Sequence, residues 1–296
     1  MSGFSDGRLG GKVAVVSGAG GGIGRAHALL LATEGAKVVV NDLTNAQAVV
    51  DEINDAGGTA TANGADVATF DGAEALVAQA IDDYGQLDIL VNNAGILRDA
   101  VSFKMTEDEF DSVVNVHLKG HFAPSKFAGQ HWRQRSKAGD EVSGRIINTA
   151  SEAGLYGNAG QANYAAAKAG IASMTIVLAR ELKKYGVTVN TIAPRALTQM
   201  TAPLLEGFHN PQKGEFDPWD PHNIAPVVGW LATDDSAHIN GQTFVIFGNK
   251  LYLMEGWTMA SKIESPGRFD IDELIKRSEE LFGDRSTKIP PMGFGE

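Results

Sequence analysis

Val13-Ala14-Val15-Val16-Ser17-Gly18-Ala19-Gly20-Gly21-Gly22-Ile23-Gly24 decides how the rest of this 296-residue chain is read. Its four leading apolar residues show no polar alternation, the pattern of a strand buried on both faces. Glycines then follow at the spacing G-x-x-x-G-x-G, with Gly18, Gly22 and Gly24 as members, and a helix-like stretch opens behind them. The spacing fits neither G-x-G-x-x-G nor the P-loop, because no Gly-Lys-Ser/Thr follows. The physical need is common to all three. Glycine lets the backbone turn tightly and approach a pyrophosphate, whose charge is met by amide N–H groups at a helix N-terminus. A glycine run alone is equally a flexible turn. Its place between a buried strand and an amphipathic helix makes Gly18, Gly22, Ile23 and Gly24 candidates for a dinucleotide elbow.

Outward from this elbow, short apolar runs recur at Lys37 to Asn41, Leu87 to Asn92, Arg145 to Thr149, Val187 to Ile192 and Gln242 to Phe247, with a weaker one at Thr59 to Asp66. Helical patterns lie between them at 24–34, 45–56, 71–84, 107–134, 161–185 and 223–233. Asp71 with Glu74, and Thr106 with Glu109, read as capping boxes. Strands alternating with helices predict one doubly wound α/β domain of Rossmann type, a seven-stranded parallel sheet with helices on both faces. The expected division is a loose arm at 1–10, the dinucleotide domain at 11–256 with a substrate loop at 198–222, and a C-terminal extension at 257–296. In that extension Phe269, Ile271, Leu274, Ile275, Leu281 and Phe282 form an apolar stripe at helical spacing, with Asp270 at a plausible cap.

A formal net charge of −11 without any Lys/Arg run argues against a nucleic-acid surface. The absence of cysteine excludes disulfides, thiolate metal sites and Cys nucleophiles. No stretch approaches the length of apolar residues that a membrane span needs, and the N-terminus shows no apolar h-region, so a soluble cytoplasmic protein is expected. His117 and His121 stand four apart with no glutamate between them as in a zincin and no third ligand nearby. They are expected as helix-face or pocket-edge histidines, and no metal is expected. The charged segment from His131 to Ser143 reads as a solvated helix end and loop.

Asp42 follows the second strand by one residue, where a carboxylate accepts hydrogen bonds from both adenosine ribose hydroxyls and repels a 2′-phosphate. With no Arg or Lys beside it, NAD is expected over NADP. The alternative is that Asp42 only caps the next helix. Asp66 and Val67 are candidates for the adenine edge. Asn92-Asn93-Ala94-Gly95 ends the fourth strand, with Gly95 letting the chain pass close to a cofactor and the asparagines tying strand ends together; an Asn-Gly turn fits the same letters. Asn115 sits inside a helical pattern that Asn favours little. A water bridging it to Lys168 is one explanation and an ordinary polar helix position another. Tyr164 and Lys168 are four apart in a helical run, hence on one face. An ammonium there lowers a phenol pKa from its usual ~10 toward the range useful for proton transfer. Ser151, at the end of a strand-like run, can hydrogen-bond the same substrate oxygen.

Assembled, these residues resemble the short-chain dehydrogenase/reductase family over about residues 11–250. The resemblance rests on Gly18/Gly22/Gly24, Asp66, Asn92-Asn93-Ala94-Gly95, Asn115, Ser151, Tyr164, Lys168 and Pro194. It implies a catalytic tetrad of Asn115, Ser151, Tyr164 and Lys168, with Tyr164 moving the proton. It also implies a nicotinamide dinucleotide across the carboxyl edge of the sheet, touching Gly18, Gly22, Ile23, Gly24, Asp42, Asp66, Val67, Asn92, Ala94, Gly95, Tyr164, Lys168, Pro194 and Thr198.

A narrower branch matches further. Gly20 to Ala26, Val40-Asn41-Asp42-Leu43, Ala94 to Asp99 and Tyr156 to Tyr164 are similar to the (3R)-hydroxyacyl-CoA dehydrogenase module of peroxisomal multifunctional β-oxidation enzymes, also described as a 17β-hydroxysteroid dehydrogenase. Ala193-Pro194-Arg195-Ala196 lacks the broad family's Pro-Gly, as that branch does, which leaves the nicotinamide-carboxamide contact to Thr198. The resemblance implies an NAD-dependent, stand-alone dehydrogenase of (3R)-hydroxyacyl-CoA or steroid-like secondary alcohols, forming a homodimer or homotetramer. Arg98, Lys104, Lys119 and Lys213 are candidates for CoA phosphates or plain surface charges. The rival of another class is a non-catalytic NAD-binding sensor.

Overall fold

The computed structural model of the protein describes residues 7–198 and 215–289. Within them β1 (Val13–Ser17), β2 (Lys37–Asn41), β3 (Thr59–Asn63), β4 (Ile89–Asn92), β5 (Gly144–Thr149), β6 (Val187–Arg195) and β7 (Thr243–Phe247) form the expected parallel sheet, in the order β3-β2-β1-β4-β5-β6-β7. Strand order reverses between β1 and β4, and the crevice beyond their carboxyl ends is where doubly wound sheets take ligands.

An eighth strand corrects the expected count of seven. β8 (Lys250–Met254) runs antiparallel to β7, with Phe247 opposite Lys250. The two residues between the strands, Gly248 and Asn249, make a tight hairpin, and Gly248 adopts φ +55°. A Gly-Asn pair between two apolar runs is a hairpin signal, and only an antiparallel strand can follow so short a link.

Each strand of the centre is buried on both sides, so alternate residues serve opposite cores. Ala14 and Val16 of β1 join one apolar cluster, Val13 and Val15 the other. The first cluster takes residues of α1 (Gly22–Thr33), α2 (Ala46–Asp55) and α8 (Ala225–Ala232); the second takes α3 (Phe70–Tyr84), α5 (Gly120–Ala138) and α7 (Ala162–Leu182). Trp132 of α5 is fully buried and donates Nε1–H to the Leu87 carbonyl at 2.6 Å. The helix therefore continues to Ala138, past the point where charge suggested a loop.

Other boundaries shift for identifiable reasons. Residues 7–10, expected in a loose arm, form a turn that seats Leu9 at 0% exposure and bonds its amide to the Glu34 carbonyl. Thr69, not Asp71, caps α3 by accepting from Gly72 N–H, because the helix begins at Phe70. The Thr106/Glu109 capping box is present and opens α4 (Glu107–Val114). The long helix expected over 107–134 is interrupted by a π-helical segment, Asn115–Lys119. No helix among the described residues is long and apolar enough to cross a membrane.

The chain divides into two compact units, Met1–Met254 and Glu255–Glu296. In the second, α9 (Ile271–Phe282) is capped by Asp270, which accepts from Glu273 N–H at 2.7 Å. Arg277 bonds Glu273 and Glu280 along its polar side. None of the helix residues is buried.

Candidate active site

The glycine elbow is as tight as its letters require. Gly18 and Gly22 adopt φ +60° and +50°. A Cβ on Gly18 would lie 2.7 Å from Ala94 Cα, and one on Gly24 would lie 2.2 Å from the Gly18 carbonyl oxygen. Side chains other than hydrogen are excluded by contact as well as by conformation. Ser17 Oγ accepts from the amides of Asn93 and Ala94, while Asn93 Nδ2 donates to the carbonyls of Ser17 and Gly18. The ends of β1 and β4 are thereby laced across the switch point. Asn92 continues the lacing inward, donating to Asn148 Oδ1 and Ser125 Oγ at 2.9 Å each.

Asp42 faces the elbow and the following turn together. One carboxylate oxygen accepts from Gly20 N–H at 3.1 Å; the other accepts from the amides of Thr44 and Asn45. Burial pushes its pKa up, but those N–H donors outweigh it and hold the carboxyl below the usual value. The alternative that Asp42 caps the next helix is not met: the N-cap of α2 is Asn45, and Asp42 ties the turn before it. Asp66 is exposed, three residues beyond β3, and accepts from Ala68 N–H at 2.9 Å, with Val67 buried beside it. Thr198 lies against the elbow from the other side, its Cγ2 3.1 Å from a Cβ placed on Gly22. Pro194 lies in β6 opposite Ile246 of β7. Glycine clearance, a helix N-terminus behind it and a carboxylate at the second strand form a cradle that fits a dinucleotide.

Ser151 follows β5 and caps α6 (Glu152–Tyr156), accepting from Ala153 N–H at 3.2 Å. The same hydroxyl acts on the Tyr164 phenol of α7, favouring its ionised form. Burial raises the phenol pKa, the Ser151 bond opposes this and the Asp99 charge adds to it. The expected lowering by Lys168 is therefore not what this arrangement shows. Lys168 is 2% exposed, and burial lowers its own pKa to about 7, so much of its charge is lost at neutral pH. Its Nζ stands 5.5 Å from the Tyr164 ring centroid and donates to the Thr149 carbonyl.

Asn115 is not brought to this group. It is exposed at the start of the π segment, and no hydrogen bond joins it to Lys168 among the described residues. The wider π turn rolls it outward and turns His117 inward instead. His117 is 1% exposed, its ring edge-on to that of Tyr164 at 5.1 Å between centroids, with Nε2 at the Ile96 backbone. Burial, with the Lys168 charge behind it, lowers its pKa to about 3 and keeps it neutral.

Two other pairings carried no motif signal. Arg195, where the family pattern has glycine, makes a bidentate ion pair with Glu152, the buried residue following Ser151. Asn163 is fully buried and donates Nδ2 to the carbonyls of Arg98 and Glu109, so α7 is anchored to the loop after β4 next to Tyr164. Arg98, Lys104 and Lys119 are exposed. Lys213 and most of the expected substrate loop, 199–214, lie outside the described residues, as do 1–6 of the expected arm.

Residues 12–207 match the family model for short chain dehydrogenase. A Mycobacterium tuberculosis protein named hydroxyacyl-CoA dehydrogenase ChsB1 is 45% identical over 290 residues, which cover 95% of this chain and 91% of that one. The Mus musculus peroxisomal multifunctional enzyme type 2 is 40% identical over 251 residues, 81% of this chain and 32% of the larger enzyme. A crystal structure of a short chain dehydrogenase from Mycobacterium avium matches with a TM-score of 0.89 at 47% identity, covering 97% of this chain and 100% of that chain. The cradle and the Ser151–Tyr164–Lys168 group occupy one end of a sheet whose whole length has these counterparts. The chain belongs to the short-chain dehydrogenase/reductase family, oxidoreductases that work with a nicotinamide cofactor.

Proposed function

We propose that the protein is an NAD-dependent dehydrogenase that oxidises a (3R)-hydroxyacyl-CoA to the 3-ketoacyl-CoA in the β-oxidation of fatty or steroid-like acyl chains. The observation that carries the reading is the buried Lys168 one helical turn from Tyr164, with Ser151 at the end of β5 acting on the same phenol, beside the glycine elbow. The names of the relatives, hydroxyacyl-CoA dehydrogenase and peroxisomal multifunctional enzyme, support the substrate class. Asp42 at Gly20 supports NAD, since a carboxylate there repels a 2′-phosphate.

The elbow glycines, Ile23, Asp42, Asp66, Val67, Asn92, Ala94, Gly95, Pro194 and Thr198 would hold the cofactor, which supplies the hydride acceptor when bound. Ser151 donates to the substrate oxygen and fixes it beside the phenol. Tyr164 removes the hydroxyl proton as the alcohol becomes a ketone. Lys168, held near the ring and bonded to the Thr149 carbonyl, would in its ammonium form favour the phenolate against the burial that disfavours it. In this reading residues 257–296 are an extension of the dinucleotide domain, and the working form is a cytoplasmic homodimer or homotetramer.

Initial rates with NAD and NADP on (3R)-hydroxyacyl-CoA thioesters of graded bulk, beside 17β-hydroxysteroids, test the proposal. Turnover of thioesters with NAD is expected, and Tyr164→Phe should reduce it by about 10²–10⁴-fold. Preference for the steroid moves the substrate assignment, preference for NADP removes the role of Asp42, and binding of NADH without turnover of either class leaves a sensor.

A further inference from the structure

The π segment Asn115–Lys119 brings a pair of histidines to the back of the candidate centre. Across it, Gly120 N–H reaches the carbonyls of both Asn115 and His117. His117 is gripped on three sides. Its Nε2 lies 2.7 Å from the Ile96 carbonyl and 3.0 Å from the Ile96 amide. Its ring meets Tyr164 edge to face, at 90° between planes. A Cβ on Gly95 would come within 2.3 Å of its Cε1, so the loop leaving β4 is shaped around the imidazole. One nitrogen cannot donate and accept along both Ile96 contacts at once. The shorter one assigns the proton to Nε2, leaving Nδ1 as a buried acceptor without a partner among the described residues. One turn on, His121 is fully buried, and its ring borders the backbone of His117 and of Thr149, whose carbonyl takes the Lys168 ammonium.

We propose that His117 is the positioning residue of the Tyr164–Lys168 pair, in the place that Asn115 was expected to fill. It acts through others: it fixes the phenol ring by edge contact, ties that ring to the loop at Gly95 and Ile96, and presents an acceptor inside the pocket that holds Lys168. His121 closes the same pocket around the Thr149 carbonyl. The inference rests on Tyr164 and Lys168 being the reacting pair.

The test is steady-state turnover of His117→Phe, His117→Gln, Asn115→Ala and Tyr164→Phe in the full chain, with NADH affinity by fluorescence titration and fold by circular dichroism. His117→Phe keeps a ring and loses both nitrogens; His117→Gln keeps a polar group at the Ile96 backbone. Displacement of a reacting group by an ångström lowers rates by about 10²-fold, so His117→Phe should lose at least about tenfold more kcat than Asn115→Ala. NADH affinity should stay within about threefold, and His117→Gln should be the faster of the two His117 variants. Whichever His117 variants keep the native dichroism enter the comparison with Asn115→Ala. An equal or larger loss in Asn115→Ala overturns the proposal, as does wild-type kcat in His117→Phe. Undiminished turnover in Tyr164→Phe is a separate result, which removes the reading of the reacting pair itself.

Discussion

Lys168 Nζ donates to the carbonyl oxygen of Thr149 at 2.5 Å, two residues before Ser151 on the same strand exit. The amine that helical spacing sets near Tyr164 is thus also pinned to β5, which carries the serine. One buried amine ties both halves of the candidate centre, and its burial makes folding stability depend on pH.

A basic group held near pKa 7 in the folded chain and near 10.5 in the unfolded chain binds more protons when unfolded between those values. Below pH 7 both states carry the proton and the penalty is complete; above 10.5 neither does and it is gone. Stability from this residue should therefore rise with pH across that window, by about 1.4 kcal/mol per pH unit. Urea unfolding at several pH values should show a shallower slope in Lys168→Met than in the wild type, and equal slopes would refute the assignment.

Acid should act through the buried histidines. Burial lowers the pKa of His27 and His117 from 6.5 to about 3 and takes His121 well below its usual value. The unfolded chain gains protons below 6.5 while the folded chain stays neutral, so stability falls as pH drops from 6.5 toward 3. Both ring nitrogens of His27 are buried without a partner among the described residues. Replacing His27 with Leu should leave stability at neutral pH within about 1 kcal/mol, since unpaired polar groups are removed along with the ring. It should also remove one proton's share of the acid slope, read from melting curves at pH 4 to 7.

Gly18→Ala should damage cofactor binding and fold together. The residue sits at φ +60° with Ala94 Cα 2.7 Å from the added carbon. A left-handed position alone costs an alanine about 1–2 kcal/mol, and the clash adds to it. Calorimetry should show a lowered Tm and weaker NADH binding; an unchanged Tm would mean that the turn relaxes freely.

The Arg195–Glu152 pair should reveal itself by non-additivity. Arg195→Met leaves the nearly buried Glu152 without its bidentate partner. Because Arg195 is 38% exposed, water screens the loss, and about 1–3 kcal/mol is expected rather than the 3–5 of a fully buried pair. Adding Glu152→Gln should restore part of that stability in a double-mutant cycle. Simple addition of the two losses would show that the pair is not coupled.

The parallel core was readable because its signal is local and redundant: unbroken apolar runs, a glycine elbow and alternating helical periods repeat the same instruction. Ser151, Tyr164 and Lys168 were readable because one helical turn and one strand end place them together. Asn115 opens a π turn, which the letters cannot show and which resets the facing of the residues after it, His117 among them. With it His117 passed for a pocket-edge residue, although its contacts come from Gly95 and Tyr164, far along the chain. Glu152 and Arg195 meet across 43 residues and belong to no spacing rule. β8 lies outside the strand–helix alternation: it follows β7 directly through Gly248-Asn249, without a helix between them.

None of the residues of α9, its apolar stripe included, is buried. A twelve-residue helix in water owes little to propensity; the Asp270 cap, the Arg277 ion pairs and the bonds through which Ser261, Ser265 and Arg277 tie it to the preceding segment hold it. Those are surface interactions, screened by water and weak. The amide hydrogens of Ile271–Phe282 should accordingly trade with deuterium orders of magnitude sooner than those of α7, and added salt should hasten them further.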